Sequence, residues 1–177
     1  MLRLLILALA TLPLQAQAQF YWEYDDWQVW VEETDTGEDL RRSCTAWTGG
    51  DGEPVLRLEI SNGDAGPPYV YPYPSLSETA PRHYKTQMQD GQHVQFVTDT
   101  GAVFSTTAEA RFNEEGLFEA HAVLNLADNL PTLQAMKQGS HMEIRTGGNM
   151  VFRASLAGFT AAYGKMMDSC GFSLSLD

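Results

Sequence analysis

Residues 41–61 read RRSCTAWTGGDGEPVLRLEIS. Two runs, 41–47 and 54–61, flank Gly49-Gly50-Asp51-Gly52. In the second run Leu56, Leu58 and Ile60 alternate with Arg57 and Glu59. A period of two puts the first set on one face of a strand and the second on the other. Glycines and an aspartate between two such runs specify a β-hairpin.

The same pattern recurs outward along the chain. HVQFVTDTGAVFSTT (93–107) reads as a second hairpin, with Asp99-Thr100-Gly101 in its turn. EARFNEEGLFEAHAVLNL (109–126) reads as a third, turning at Asn113–Gly116. HMEIRT and NMVFRAS form a last one across Gly147-Gly148-Asn149. Near the N-terminus, FYWEYDDWQVW (20–30) packs six aromatics into eleven positions, and Trp27, Val29 and Val31 alternate as a strand does. NGDAGPPYVYPYPS (62–75) is different: four prolines and two glycines exclude a central strand or a helix. An edge segment or an ordered loop is expected there.

Two helices interrupt the pattern late in the chain. LADNLPTLQAMKQG predicts a short helix near 129–138, with Asp128 or Asn129 as cap, Pro131 near its first turn and Gly139 as its stop. In SLAGFTAAYGKMMDSCGF (155–172), Leu156, Phe159, Tyr163, Met166 and Cys170 fall on one apolar stripe. That predicts a helix near 158–169, opened by Gly158 and ended by a left-handed Gly171, laid on one face of a sheet. The expected fold class is mainly β, an antiparallel sandwich or partly open barrel with these two helices.

The first residues, MLRLLILALATLPLQAQAQF, place one cation, Arg3, before a short apolar run, and small residues at Ala16 and Ala18. This is the pattern of a secretory signal peptide over 1–18, cleaved after Ala18. The apolar run is too short to span about 30 Å of hydrocarbon. Residues 19–177 are then expected to form a single β-rich domain in the periplasm or outside the cell, without stable membrane insertion. With 11 Lys+Arg against 23 Asp+Glu the chain carries a net charge of −12. A surface that acidic repels nucleic acid and anionic headgroups. The chain has two cysteines, Cys44 and Cys170. An even pair in an oxidising compartment argues for a disulfide, worth at most about 5 kcal/mol for so long a loop. A buried pair of free thiols or a redox site is the alternative, and no Cys-x-x-Cys supports the latter.

The run LPTLQAMKQGSHMEIRT, followed by VFRASLAGFTAAYGKM, resembles the C-terminal half of the invasion-associated locus B family of small exported proteobacterial proteins. The shared features are a leucine-rich helix ending in Lys-x-Gly (Lys137–Gly139), a strand, and a last strand entering Ser-Leu-x-Gly-Phe-Thr-Ala-Ala (Ser155–Ala162). Asp26-Trp27-Gln28-Val29 is similar to an early Asp-Trp-x-Val element of that family, and Cys44 sits where the family often has the second of two early cysteines. The first of these would fall near Val31, and that cysteine and a mid-chain pair are absent. Cys170 is then the one partner left for Cys44. The resemblance implies a β-rich periplasmic or secreted domain with no established catalytic residues.

Motifs with chemistry are scarce. His83, His93, His121 and His141 form no His-Glu-x-x-His or His-x-His spacing. There is no Gly-x-Ser-x-Gly elbow. No catalytic set, metal or cofactor is expected. Tyr69, Tyr71 and Tyr73 alternate in PPYVYPYP and are expected to share one side, stiffened by prolines. With Trp22 and the neighbouring Phe20, Tyr21 and Tyr24 they are the candidate binding residues, because such rings present an apolar body and a polar tip. The expected function is non-catalytic binding of an envelope protein or glycan. An envelope hydrolase with a nonlocal histidine site, around His121 and His141, is one alternative. A structural or oligomeric subunit is the other.

Overall fold

The computed structural model describes residues 17–176, and within them alternation has become sheet. The strands are β1 (Gln17–Tyr24), β2 (Trp27–Asp35), β3 (Leu40–Gly49), β4 (Val55–Ser61), β5 (Ser75–Thr79), β6 (His93–Thr98), β7 (Val103–Phe112), β8 (Phe118–Val123), β9 (His141–Thr146) and β10 (Asn149–Ser155). Helix α1 (Leu126–Gln138) lies between β8 and β9, and α2 (Phe159–Ser169) follows β10. All pairings are antiparallel, and the ten strands form one curled sheet in the order β1-β2-β3-β4-β5-β8-β7-β6-β9-β10. Of the two layouts expected for a mainly β chain, this half-barrel is the partly open barrel. Of the leader expected over 1–18, residues 1–16 lie outside the described residues. Cleavage after Ala18 would remove from β1 only its first two pairs, Gln17↔Thr34 and Ala18↔Glu33.

The 41–61 hairpin forms across the expected turn, with the expected residues facing inward. Cys44 stands opposite Ile60 and Ala46 opposite Leu58, all buried, while Arg57 and Glu59 face solvent. The second and third hairpins turn where expected but share one strand. Val103–Val97 through Thr107–His93 pair β7 with β6, and Ala108–Ala122 through Phe112–Phe118 pair it with β8. A ten-residue strand that changes partner halfway turns the corner of the sheet. In β10 a bulge between Met150 and Phe152 buries two consecutive residues, Val151 and Phe152.

Helix α1 begins at Leu126, earlier than expected, with Asn125 at its N-cap. Asn129 does not cap it because its amide is used elsewhere: Nδ2 donates to the Tyr71 carbonyl at 3.1 Å. Helix α2 matches its predicted span. Leu156, Phe159, Tyr163, Met166 and Cys170 are all buried, and the helix packs on β1, β2 and β3. Its end is a Schellman turn: Phe172 N–H donates to the Met167 carbonyl and Gly171 N–H to that of Asp168, with Gly171 at φ +79°. Arg42 Nη1 donates to the Ser169 carbonyl at 3.3 Å while its Nε pairs with Glu33 at 2.6 Å, so a cation meets the negative end of the helix.

The β1–β2 turn and the segment leaving β10 touch each other. Trp27 Nε1 donates to the Ser155 carbonyl at 2.9 Å, and Asp26 N–H to the Ala157 carbonyl at 3.3 Å. The Trp27 and Phe159 rings meet edge to face at 5.1 Å. Gly158 makes this approach feasible. It has φ +86°, and a Cβ there would lie 1.8 Å from the Tyr24 carbonyl oxygen. The disulfide Cys44–Cys170, with Cα atoms 6.1 Å apart, fixes the other end of α2 to β3.

Two glycines of this region give opposite expectations. Gly158→Ala is expected to destabilise by about 3 kcal/mol in urea unfolding, from a forbidden φ plus a backbone clash. Gly164 lies inside α2 with nothing near its missing Cβ. Gly164→Ala is expected to stabilise by about 0.5–1 kcal/mol, the helix-propensity difference.

Candidate functional site

The Pro-rich segment does not present three tyrosines together. Tyr69 and Val70 N–H groups both donate to the Gly66 carbonyl, so the chain turns at 67–69 and the alternation is lost. Tyr69 is 80% exposed and Tyr73 42%, but Tyr71 is 8% exposed and belongs to the core. Asn129 holds its carbonyl from α1. Trp22 stands apart on the inner side of β1, where Lys165 of α2 sits 4.1 Å above its ring and Phe20 stacks beside it at 6.0 Å.

The prolines do open a cleft. Leu124 N–H donates to the Pro74 carbonyl, and Pro74 has no N–H to return the bond, so the β5–β8 ladder ends at Ser75↔Val123. The β4–β5 ladder ends at Arg57↔Ser75. Beyond it, the end of β4 pairs with β3 on one side only. The gap between that free edge and the Pro-rich segment is about 330 Å³, lined among others by Ser43, Ile60, Asp64, Tyr71 and Tyr73. Tyr73 therefore faces a cleft, whose floor Tyr71 helps to build.

A second aromatic group faces outward from the other side of the sheet. On β1, β2 and β3 the inward register is taken by Trp22, Val29, Val31, Cys44 and Ala46, and the outward register carries Tyr21, Trp30 and Trp47. Tyr21 is directly opposite Trp30 in the ladder, with ring centroids 6.5 Å apart, and lies 6.2 Å from Trp47. A shallow groove of about 220 Å³ runs between Trp30, Thr45, Trp47 and Arg57. Arg57 also reaches Glu59 at 3.9 Å, and the Tyr21 hydroxyl donates to Glu23 at 2.6 Å, which raises the phenol pKa. The signal was present in the sequence: once Trp27, Val29 and Val31 are set inward, Trp30 must point out.

The histidines do not converge. His121 on β8 pairs with Glu119 at 3.1 Å, and β7 and β6 separate it from His141 on β9. His141 has Asp99 at 3.7 Å from Nδ1, and Glu143 at 3.9 Å and Arg153 at 3.1 Å from Nε2. The Ser140 and His141 backbone N–H environment holds the Asp99 carboxyl below its usual range, chiefly through the Ser140 N–H bond. Arg145 does the same for Glu143. Neither histidine lines the clefts around β3–β4, the outer groove or the α1–α2 contact. Among the described residues no group of three or more His, Cys, Asp or Glu could hold a metal ion. Two buried polar atoms, Asn129 Oδ1 and the Tyr163 hydroxyl, have no hydrogen-bond partner among the described residues. Burial pushes the Tyr163 phenol well above its usual range, and nearby Tyr71 adds to this, so it is a neutral donor.

Comparisons with protein-family models, with curated proteins and with solved structures find no match for this chain.

The burial difference separates the tyrosines experimentally. Tyr71→Ala is expected to cost about 3–4 kcal/mol in chemical denaturation, as for a large ring removed from a core. Tyr69→Ala is expected to stay within about 0.5 kcal/mol of the parent chain.

Proposed function

We propose that this chain is an exported, non-catalytic binding domain of the cell envelope that takes a glycan on the outer face of β1–β3. The observation that carries the reading is the outward row Tyr21, Trp30 and Trp47 beside Arg57. Burying such rings in the core would be worth a few kcal/mol each, so three left together on a polar sheet face ask for a partner. Flat rings stack against the C–H faces of sugars, while Arg57, Thr45 and Gln28 offer hydrogen bonds to hydroxyls at the rim.

Placement in the periplasm or outside the cell rests on the leader pattern of residues 1–18, and the Cys44–Cys170 disulfide is consistent with an oxidising compartment. Among the described residues no helix is long and apolar enough to cross a membrane. The relation to the invasion-associated locus B family is part of the same proposal. It is supported by the contact between its two matching segments, at Trp27 and Ser155–Phe159. The hydrolase alternative has less support, because β7 and β6 separate His121 from His141, and each meets its own carboxylate, Glu119 or Asp99.

Tryptophan fluorescence titration with soluble peptidoglycan fragments and outer-membrane polysaccharides tests this directly. One of these is expected to shift the emission of the parent chain. Trp30→Ala combined with Trp47→Ala should weaken that binding at least tenfold (about 1.4 kcal/mol) with the thermal midpoint little changed. Equal affinity of the double variant, or loss through Tyr73→Ala instead, would move the site off the outer face.

A further inference from the structure

The loop between β5 and β6 and the β7–β8 hairpin meet in a region whose chemistry differs from the rest of the molecule. Arg82, His83, Tyr84 and Lys85 are consecutive and all exposed. They line a cleft of about 300 Å³ with Phe112, Gly116 and Phe118. Tyr84 is 71% and Phe112 70% exposed, and Phe112 meets Phe118 edge to face at 5.3 Å. The loop has a fixed shape: Tyr84 N–H donates to the Pro81 carbonyl at 2.9 Å, and His83 is held at φ +73°.

The charge pattern is the unusual part. The chain has more than two acids for every base, yet Arg82, His83 and Lys85 have no carboxylate partner among the described residues. Elsewhere Arg41, Arg42, Arg57 and Arg145 are paired with Asp39, Glu33, Glu59 and Glu143. Arg153 meets His141, and Lys165 covers Trp22. Only Arg111 and Lys137 are otherwise without a partner among the described residues. The nearest acids in sequence across the cleft, Glu114 and Glu115, belong to the turn that Asn113 ties with its own carbonyl oxygen Oδ1. Grouped, unpaired cations between two protruding rings match a surface with phosphates outside and hydrocarbon beneath.

We propose that this end of the sheet docks on an anionic phospholipid membrane, with Arg82 and Lys85 on headgroup phosphates and Tyr84 and Phe112 at the headgroup–acyl boundary. The acidic remainder of the chain is repelled by the same surface. Screening over roughly 8 Å at physiological salt lets the local cations decide contact, so the charge asymmetry orients the domain. Attachment of this kind is peripheral, reversible and salt-sensitive.

Co-sedimentation of the purified chain with vesicles tests the proposal. Binding is expected to phosphatidylglycerol–phosphatidylcholine vesicles, not to phosphatidylcholine alone, and should fall as salt rises. Arg82→Glu with Lys85→Glu should reduce it at least about tenfold, and Tyr84→Ala with Phe112→Ala should weaken it as well. All four side chains are exposed, and unchanged circular-dichroism melts would confirm that each variant folds. Equal binding to the two vesicle types, or insensitivity to the charge reversal, would overturn the proposal. So would binding of inorganic phosphate in the cleft without any vesicle binding, which would make it a site for a soluble anion. Because the outer-face residues are not involved, Trp30→Ala with Trp47→Ala should leave vesicle binding unchanged.

Discussion

The fold depends on the contact between the β1–β2 turn and the chain leaving β10. An open sheet of ten strands has two ends that must be brought near each other to enclose a core. Here Trp27 of β2 donates to Ser155 of β10, and Phe159, the first residue of α2, lies against the same indole. Gly158 is the residue that permits so close an approach of two backbones. The helix then runs across β1–β3 to the disulfide at Cys44. One end of α2 is thus held by a hydrogen bond and a ring contact, and the other by a covalent bond and the Arg42–Glu33 pair. The half-barrel is closed by a helix, where a complete barrel would use strand pairing.

That closure assigns the aromatics their roles. Trp22 and Tyr24 pack toward the core from one face of β1, and Tyr21 and Glu23 stand on the other. The inner rings support α2, and the outer rings are left to solvent beside Arg57. The same alternation therefore creates both the clasp and the candidate ligand face. The basic loop at Arg82–Lys85 lies instead by the β7–β8 turn, against Phe112 and Phe118. An acidic body, an aromatic face and one basic end together give the domain a direction.

Much of this was legible in the residues. Hairpins at 41–61 and 141–155 followed from period-two alternation across glycine turns, and α2 from its stripe and its two glycines. Their physics is local, so the sequence carries it. Other elements were hidden. β1 was obscured because its four aromatics, Phe20, Tyr21, Trp22 and Tyr24, mask alternation, although the two-residue Asp25-Asp26 turn is a hairpin signal, with Asp25 at φ +49°. β5 is a five-residue strand behind a run of prolines. The expected tyrosine platform at 69–73 assumed an extended chain. A turn on the Gly66 carbonyl breaks that assumption, and α1 draws Tyr71 inward through Asn129.

The sequence by itself determined the strands of the alternating hairpins, which of their residues can face a core, the span of α2, and that only one cysteine was available to Cys44. These are consequences of backbone periodicity and of chain composition. Tertiary structure alone decided that β7 serves two hairpins, that the sheet curls without closing, and that Trp30 and Trp47 stand together while Tyr71 is buried. Those outcomes depend on which distant strands pair and on where the α2 clasp pulls the sheet ends together. Such pairings join residues far apart in the chain, as Trp27 and Ser155 are, and no local pattern encodes their separation in space.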